Sequence, residues 1–282
     1  MLISDLKPYV RYARYMELDS SSVFATVIPL DARLFYVKSG KGTIVADGGE
    51  YEMSEGALLI VNPGVSYRLM SPEFYVKYVV LNFDYSYLSS HISIPVAPVR
   101  PERYDKAMLV SSETFSDCEE LKKIFYLSNA HFIEKKLSNI LKEYSLKFLF
   151  HDIKASSLLC ECICDSLRAK RSASSPEEKK SVDEIIAYIH ENFSKPLTNG
   201  MIGEEFSYHP NYISSVIKLS TGMPLHKYLL HVRLLRAVEM LENSSYSVGE
   251  IASLCGFCDI GYFSAYFKKH FGTGPSHYRK KG

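Results

Sequence analysis

The sequence predicts an α+β multidomain protein: an N-terminal β-barrel or sandwich, a helical middle segment and an all-α C-terminal domain. Three observations carry this reading. Residues 22–83 are rich in Val, Ile, Tyr and Phe, in short runs broken by Gly, Pro, Asn and Asp, the texture of short strands joined by tight turns. From about residue 115 the apolar spacing changes to three and four, which is helical. Residues 181–282 then repeat at a shift of 50, so one supersecondary unit is used twice.

Composition bounds the function classes. The 282 residues carry 33 basic and 32 acidic side chains, a net charge of +1, so whole-chain charge points to neither nucleic acid nor a membrane surface. Any DNA-binding claim must come from motif geometry. Hydrophobic residues at 46% and charged residues at 23% exclude a disordered chain. No apolar run approaches the ~20 residues of a membrane helix; the best candidates, Ala57–Val61 and Val76–Phe83, are strand-length. Met1–Tyr9 carries Asp5, Lys7 and Pro8 where a secretory signal needs an apolar stretch, so a cytoplasmic protein without a membrane partner is expected. Six cysteines in such a chain do not read as a disulfide framework.

In chain order, the strand candidates are Arg33–Lys38, Gly42–Asp47, Ala57–Val61, Val65–Met70 and Val76–Phe83, punctuated by Ser39-Gly40-Lys41-Gly42, Asp47-Gly48-Gly49 and Asn62-Pro63-Gly64. Leu121, Ile124 and Phe125 share one helical face. Phe132–Phe150 and Ile153–Arg171 read as longer helices, the second with Ile153, Leu159, Ile163 and Leu167 on one side. Such a face outside a barrel needs a partner surface, so 116–171 reads as a dimerisation segment of a homodimer. Ser172–Lys180 reads as a linker. Ser181-Val182-Asp183-Glu184 and Ser247-Val248-Gly249-Glu250 fit the capping box, which marks helix starts. The expected domains are 1–115, 116–171 and 181–282, with 172–180 as the linker.

In the repeat, Tyr212-Ile213-Ser214-Ser215-Val216-Ile217-Lys218 lies on Tyr262-Phe263-Ser264-Ala265-Tyr266-Phe267-Lys268, Gly222 on Gly272 and Tyr228 on Tyr278. Each copy has a short helix, a tight turn (Phe206–His209; Cys255–Cys258) and a second helix opening at Pro210 or Asp259. That is the outline of a helix-turn-helix, whose second helix enters the major groove; the alternative is a helical hairpin repeated for packing.

The residues carry more than an outline. Val248-x-x-Ile251-Ala252-x-x-x-Gly256-Phe257-x-Asp259-x-x-Tyr262-Phe263-x-x-x-Phe267-Lys268-x-x-x-Gly272-x-x-Pro275-x-x-Tyr278-Arg279 closely resembles the signature of the AraC/XylS family of bacterial transcription regulators. Asn211–Ser214, Lys218, Thr221-Gly222 and Tyr228–Leu241 resemble its first helix-turn-helix and linking helix. The resemblance covers about 100 residues and implies two units on successive major-groove segments of double-stranded DNA. It places Asn211, Ser214 and Ser215, then Ile260, Gly261, Ser264 and Ala265, against bases. With no Arg, Gln or Lys among them, bidentate readout is scarce, which leaves DNA shape and thymine-methyl contacts prominent.

Lys218, Lys268, Lys269, Arg279, Lys280 and Lys281 are the expected phosphate contacts. Phe257, Tyr262, Phe263, Phe267 and Phe271 lie at core spacing, Gly256 suits a turn of positive φ and Asp259 a helix cap. Against the family pattern, Gly203 replaces the usual Ala and Gly200 adds a second glycine, at ~1 kcal/mol each, so a looser first unit is expected. His209 replaces the usual Ser cap.

Residues 22–95 resemble the cupin-type barrel that precedes this module in sugar-responsive members, through Tyr36-Val37-x-x-Gly40-x-Gly42 and Gly56-x-x-x-x-x-Asn62-Pro63-Gly64-x-x-Tyr67. Thr26, Ile28, Arg33 and Tyr67 stand at the metal-ligand positions, and an Arg and a phenol cannot hold a divalent cation, so no metal or cofactor is expected. Arg33, Phe35 and Tyr67 instead suit a small polar effector such as a sugar or sugar acid. Alternatively Arg33 pairs with an acid such as Glu52 or Asp84 and Tyr67 is core. Cys160, Cys162, Cys164, Cys255 and Cys258 read as buried thiols.

The resemblance implies a sequence-specific DNA-binding regulator, an activator that recruits RNA polymerase when an effector changes the barrel. The alternatives are a regulator controlled by a protein partner, and a metal-free cupin enzyme fused to a helical domain.

Overall fold

Strand β2 (Ala32–Ala46) organises the N-terminal part of the chain. Successive side chains of a strand point to opposite sides. Arg33, Phe35 and Val37 therefore face one way, Leu34 and Tyr36 the other, and all are buried, so this strand has a core on each side. Around it lie β1 (Tyr9–Asp19), β3 (Gly49–Ser54), β4 (Leu58–Val61), β5 (Tyr67–Met70), β6 (Tyr75–Asp84) and β7 (Ile124–Leu127). The antiparallel sheet runs β1-β6-β2-β4-β7, with β3 and β5 on the far half of β2. β2 is one strand where the sequence suggests two. It bends at Gly40, whose φ is +85° and where a Cβ would lie 2.0 Å from the Tyr75 carbonyl oxygen, so only glycine fits.

The computed structural model describes residues 1–20, 24–70, 75–111, 113–171 and 176–279. These fall into two compact units, Met1–Lys170 and Arg171–Gly282.

In the first unit, α1 (Glu134–Leu146) and α2 (His151–Arg171) cover the Leu34/Tyr36 face of the sheet. Leu137, Ile140, Leu159, Ile163 and Leu167 share a core with Leu34, Leu58, Ile60, Leu81 and Phe83. This corrects the reading of 116–171 as a separate dimerisation segment: the apolar face of α2 already has its partner in the chain's own sheet. What stays uncovered is the α1–α2 corner, where Leu146, Phe148, Leu149, Phe150 and Ile153 are exposed. Ile124–Leu127 is a strand on the edge of β4, not helix. The first unit therefore runs well past residue 115.

The second unit has seven helices among its described residues: α3 (Pro176–Glu191), α4 (Asn199–Phe206), α5 (Pro210–Thr221), α6 (Leu225–Asn243), α7 (Val248–Leu254), α8 (Ile260–Phe271) and α9 (Pro275–Arg279). Within 172–180, the segment read as linker, residues 172–175 lie outside the described residues, and the chain is already helical from Pro176. Proline at the first helical position needs no N–H there, and Ser181 lies inside α3 rather than at its start. One core gathers Ile185, Ile189, Ile202, Ile213, Ile217 and Leu229; the other gathers Leu234, Ala237, Ile251, Phe263 and Phe267. Helix α6 contributes to both. No helix of the described residues is long and apolar enough to cross a membrane.

Candidate nucleic-acid interface and ligand cavity

The two halves of the second unit share one local design. Thr198 Oγ1 accepts from Met201 N at 3.2 Å to open α4, and Ser247 and Glu250 form the expected reciprocal box at α7. Both turns are closed by the same backbone bond, Tyr208 N to Gly203 O (2.8 Å) in one and Phe257 N to Ala252 O (2.9 Å) in the other. The left-handed residue of the first turn is Ser207, with φ of 57°; that of the second is Gly256, with φ of 80°. A Cβ on Gly256 would lie 2.5 Å from the Ser194 carbonyl oxygen, so this turn packs directly on the α3–α4 loop.

Gly203 corrects an expectation. Its Cβ would lie 2.5 Å from the Tyr208 carbonyl oxygen, so the glycine permits a close turn and does not loosen the unit. Gly200 has room and keeps the ~1 kcal/mol cost for itself. His209 caps α5 through Nδ1, which accepts from Asn211 N at 3.2 Å. Asp259 caps α8 by accepting from Tyr262 N. Both second helices thus start with fixed entry angles.

Burial sorts the predicted contacts. On α5, Ile213 and Ile217 are buried, Asn211, Ser215 and Lys218 are exposed, and Ser214 is half-buried. On α8, Phe263 and Phe267 are buried, Ile260, Gly261, Ala265, Lys268 and Lys269 are exposed, and Ser264 is half-buried. Tyr262 and Phe271 depart from the core assignment, at 49% and 36% exposure. Tyr262 stacks on Tyr266 at 5.8 Å, on the outside of α8. Arg279 is spent within the unit, its Nη2 donating to the Tyr246 carbonyl at 2.6 Å; Lys280 and Lys281 lie outside the described residues. Arg233, which the motif reading passed over, donates from Nε to Phe193 O (2.8 Å) and from Nη2 to Lys195 O (2.9 Å), pinning α6 to the α3–α4 loop.

Residues 202–281 match the family model described as a helix-turn-helix domain. Residues 202–281 are a helix-turn-helix domain. The chain is 31% identical over 147 residues to the HTH-type transcriptional activator RhaS of Pectobacterium carotovorum, which covers 51% of this chain and 53% of that one. It is 30% identical over 118 residues to the uncharacterized HTH-type transcriptional regulator YijO of Escherichia coli, 42% of each chain. Among solved structures, the C-terminal domain of the two-component response regulator YesN from Fusobacterium nucleatum is 30% identical, with a TM-score of 0.34, and covers 36% of this chain and 98% of that one. The chain spans about half the length of the curated relatives it matches. Over residues 181–282, ten Lys and Arg stand against nine Asp and Glu, a net of +1, so this part of the chain carries no strong basic field.

In the first unit, Arg33, Phe35 and Tyr67 line one cavity of about 390 Å³, together with Tyr12, Arg14, Tyr78 and Asn82. β5 reaches the same cavity as β1 and β6 because the sheet curls at the β2 bend. Phe35 and Tyr67 rings lie 5.4 Å apart, and burial raises the Tyr67 hydroxyl pKa. Arg33 does pair with an acid, but with neither of the two expected. Its Nε lies 2.9 Å from Asp31 Oδ1, and its Nη2 donates to the Val96 carbonyl at 2.5 Å. Arg11 reaches Asp31 at 3.5 Å and takes Asp84. Burial pushes the Asp31 carboxyl up to about 6 against the pull of both arginines. The described lining of the cavity contains no His, Cys, Asp or Glu. Cys162 and Cys255 are buried, and desolvation pushes their thiols up to about 12 and about 11, so both stay protonated packing groups, whereas Cys258 is exposed.

Proposed function

We propose that the protein is a sequence-specific DNA-binding transcription regulator, an activator controlled by a small polar effector held in the cavity of the first unit. One observation carries the DNA-binding reading. The same capped helix, close turn and recognition helix occurs twice, each time with a buried apolar stripe behind and Asn211, Ser215 or Ile260, Ala265 exposed in front. A hairpin repeated only for packing has no need to leave that row small and uncluttered. Lys218 and Lys268, at matching positions of the two helices, supply phosphate contacts. Asn211 suits an adenine edge, and Ile260 and Ala265 suit thymine methyl groups. The names of the RhaS and RhaR relatives support activation, which implies contact with RNA polymerase.

Arg33, Phe35 and Tyr67 are the effector residues in this reading, with a sugar or sugar acid as the starting class. A homodimer would place two such domains on repeated half-sites. Its contact falls to the α1–α2 corner, since the face of α2 is covered. The test is selection of the full-length protein on a randomised duplex library. We expect a motif with two conserved blocks about one helical turn (~10 base pairs) apart. Recovery of no enriched sequence, or of a single short block, counts against two working units.

A further inference from the structure

The cavity of the first unit has a chemical bias. Its wall is mostly apolar and aromatic, with Arg14, Arg33 and Asn82 as the non-phenolic polar side chains. A neutral sugar brings several hydroxyl donors, and the described side chains of this wall offer few acceptors to receive them: phenol oxygens, one amide and no carboxylate. Buried donors without acceptors are costly. The charges point the same way. Beneath the cavity, Arg11 and Arg33 are balanced by Asp31 and Asp84. Arg14 is different. It is exposed, it lies 5.8 Å from the Tyr12 ring, its Nε contacts Met16 Sδ, and no described carboxylate pairs with it. Among the described residues, the site therefore holds one positive charge without a carboxylate partner at an apolar cavity. Asn82 is 2% exposed, and its Oδ1 has no hydrogen-bond partner among the described residues; that oxygen is an acceptor, so it adds nothing to the hold on an anion. With Nε and Nη2 of Arg33 engaged, its Nη1 edge is what that side chain can offer.

We propose that this cavity takes a small monocarboxylate with an apolar body, its anionic end held by Arg14 and Arg33 and its body between the Phe35, Tyr67 and Tyr78 rings. This rests on the effector reading above and narrows it. The volume of about 390 Å³ falls in the range of small-molecule sites.

The test is calorimetry on the full-length protein with benzoate, cyclohexanecarboxylate, their neutral amides, galacturonate and galactose. The carboxylates of apolar body should bind, with their amides at least ten-fold weaker. Arg14→Gln, at an exposed position, should weaken the carboxylates about ten-fold and leave amide binding and melting temperature unchanged; a merely structural role for Arg14 would not separate the acid from its amide. Galactose binding as tightly as the acids overturns the charge argument. Galacturonate binding more tightly than benzoate overturns the apolar body. No binding by any compound overturns both. Gel shift on the selected DNA in the same samples separates these outcomes from failure of the regulator reading, since DNA retention does not depend on which compound fits.

Discussion

Replacing Gly256 by alanine tests how the second helix-turn-helix is held. A left-handed φ costs an L-residue roughly 1–2 kcal/mol, and alanine returns about 0.4–1 kcal/mol by restricting the unfolded chain. The new Cβ would also lie 2.5 Å from the oxygen and 2.9 Å from the carbon of the Ser194 carbonyl. Both partners are backbone, so neither can swing aside, and such overpacking adds roughly 1–3 kcal/mol. The expected loss is about 2–4 kcal/mol. Gly272→Ala is the control: its φ is +73° and nothing lies within 4 Å of the added atom, so only about 1 kcal/mol of strain remains. Two units in one chain make a single unfolding transition unsafe to assume. Urea titration of the full-length protein, read by hydrogen exchange in peptides from α7 and α8, therefore assigns the loss to the correct unit. If Gly256→Ala is no more harmful than Gly272→Ala, the close approach to Ser194 is not what fixes this turn.

Four further outcomes follow from the same geometry. Lys218→Ala and Lys268→Ala should each weaken binding alike on all sequences and lower the salt slope by about one; a change at one base pair with the slope intact would reassign them. Arg33→Ala leaves Asp31 in a buried site with one partner fewer and should cost the first unit about 3 kcal/mol in urea unfolding; wild-type stability would show that Arg11 alone holds the carboxylate. Asp31 keeps its proton in the folded state up to about 6 against 3.8 when unfolded, so the folded state binds more protons between those values. Its contribution is fully present below about pH 4 and is lost as pH rises through 6, by roughly 3 kcal/mol; urea midpoints for wild type and Asp31→Asn at pH 4.5 and 7 should differ in slope with pH, and identical slopes would refute it. Leu149→Asp with Phe150→Asp should shift sedimentation toward monomer, whereas an unchanged profile removes the α1–α2 corner from the dimer contact.

The second unit is legible in the sequence because its determinants are local. Caps at Ser247 and Asp259, the left-handed φ of Gly256 and the spacing of Phe263 and Phe267 are each set within a few residues, although the packing of Gly256 on Ser194 is tertiary. Their repetition at a fixed shift fixes the fold and points to the recognition faces. Locality also explains what is missed there: Tyr262 and Phe271 keep core spacing, and only the packed neighbours show that the helix leaves them outside.

The first unit is decided by partners far apart in sequence. β1 lies outside the predicted strand region, and its burial does not alternate, so no period of two marks it. Ile-Phe-Tyr-Leu at 124–127 suits a helix or a strand equally, and the free edge of β4 decides. The apolar face of α2 is visible in the spacing, but its partner is not, which is why it reads as a dimer surface until the sheet is seen beneath it. The charge pairing is likewise tertiary. Arg33 and its acid Asp31 stand two residues apart, yet the network needs Arg11 and Asp84 brought in by the β1–β6 register, and only that register leaves Arg14 as the charge at the cavity without a carboxylate among the described residues.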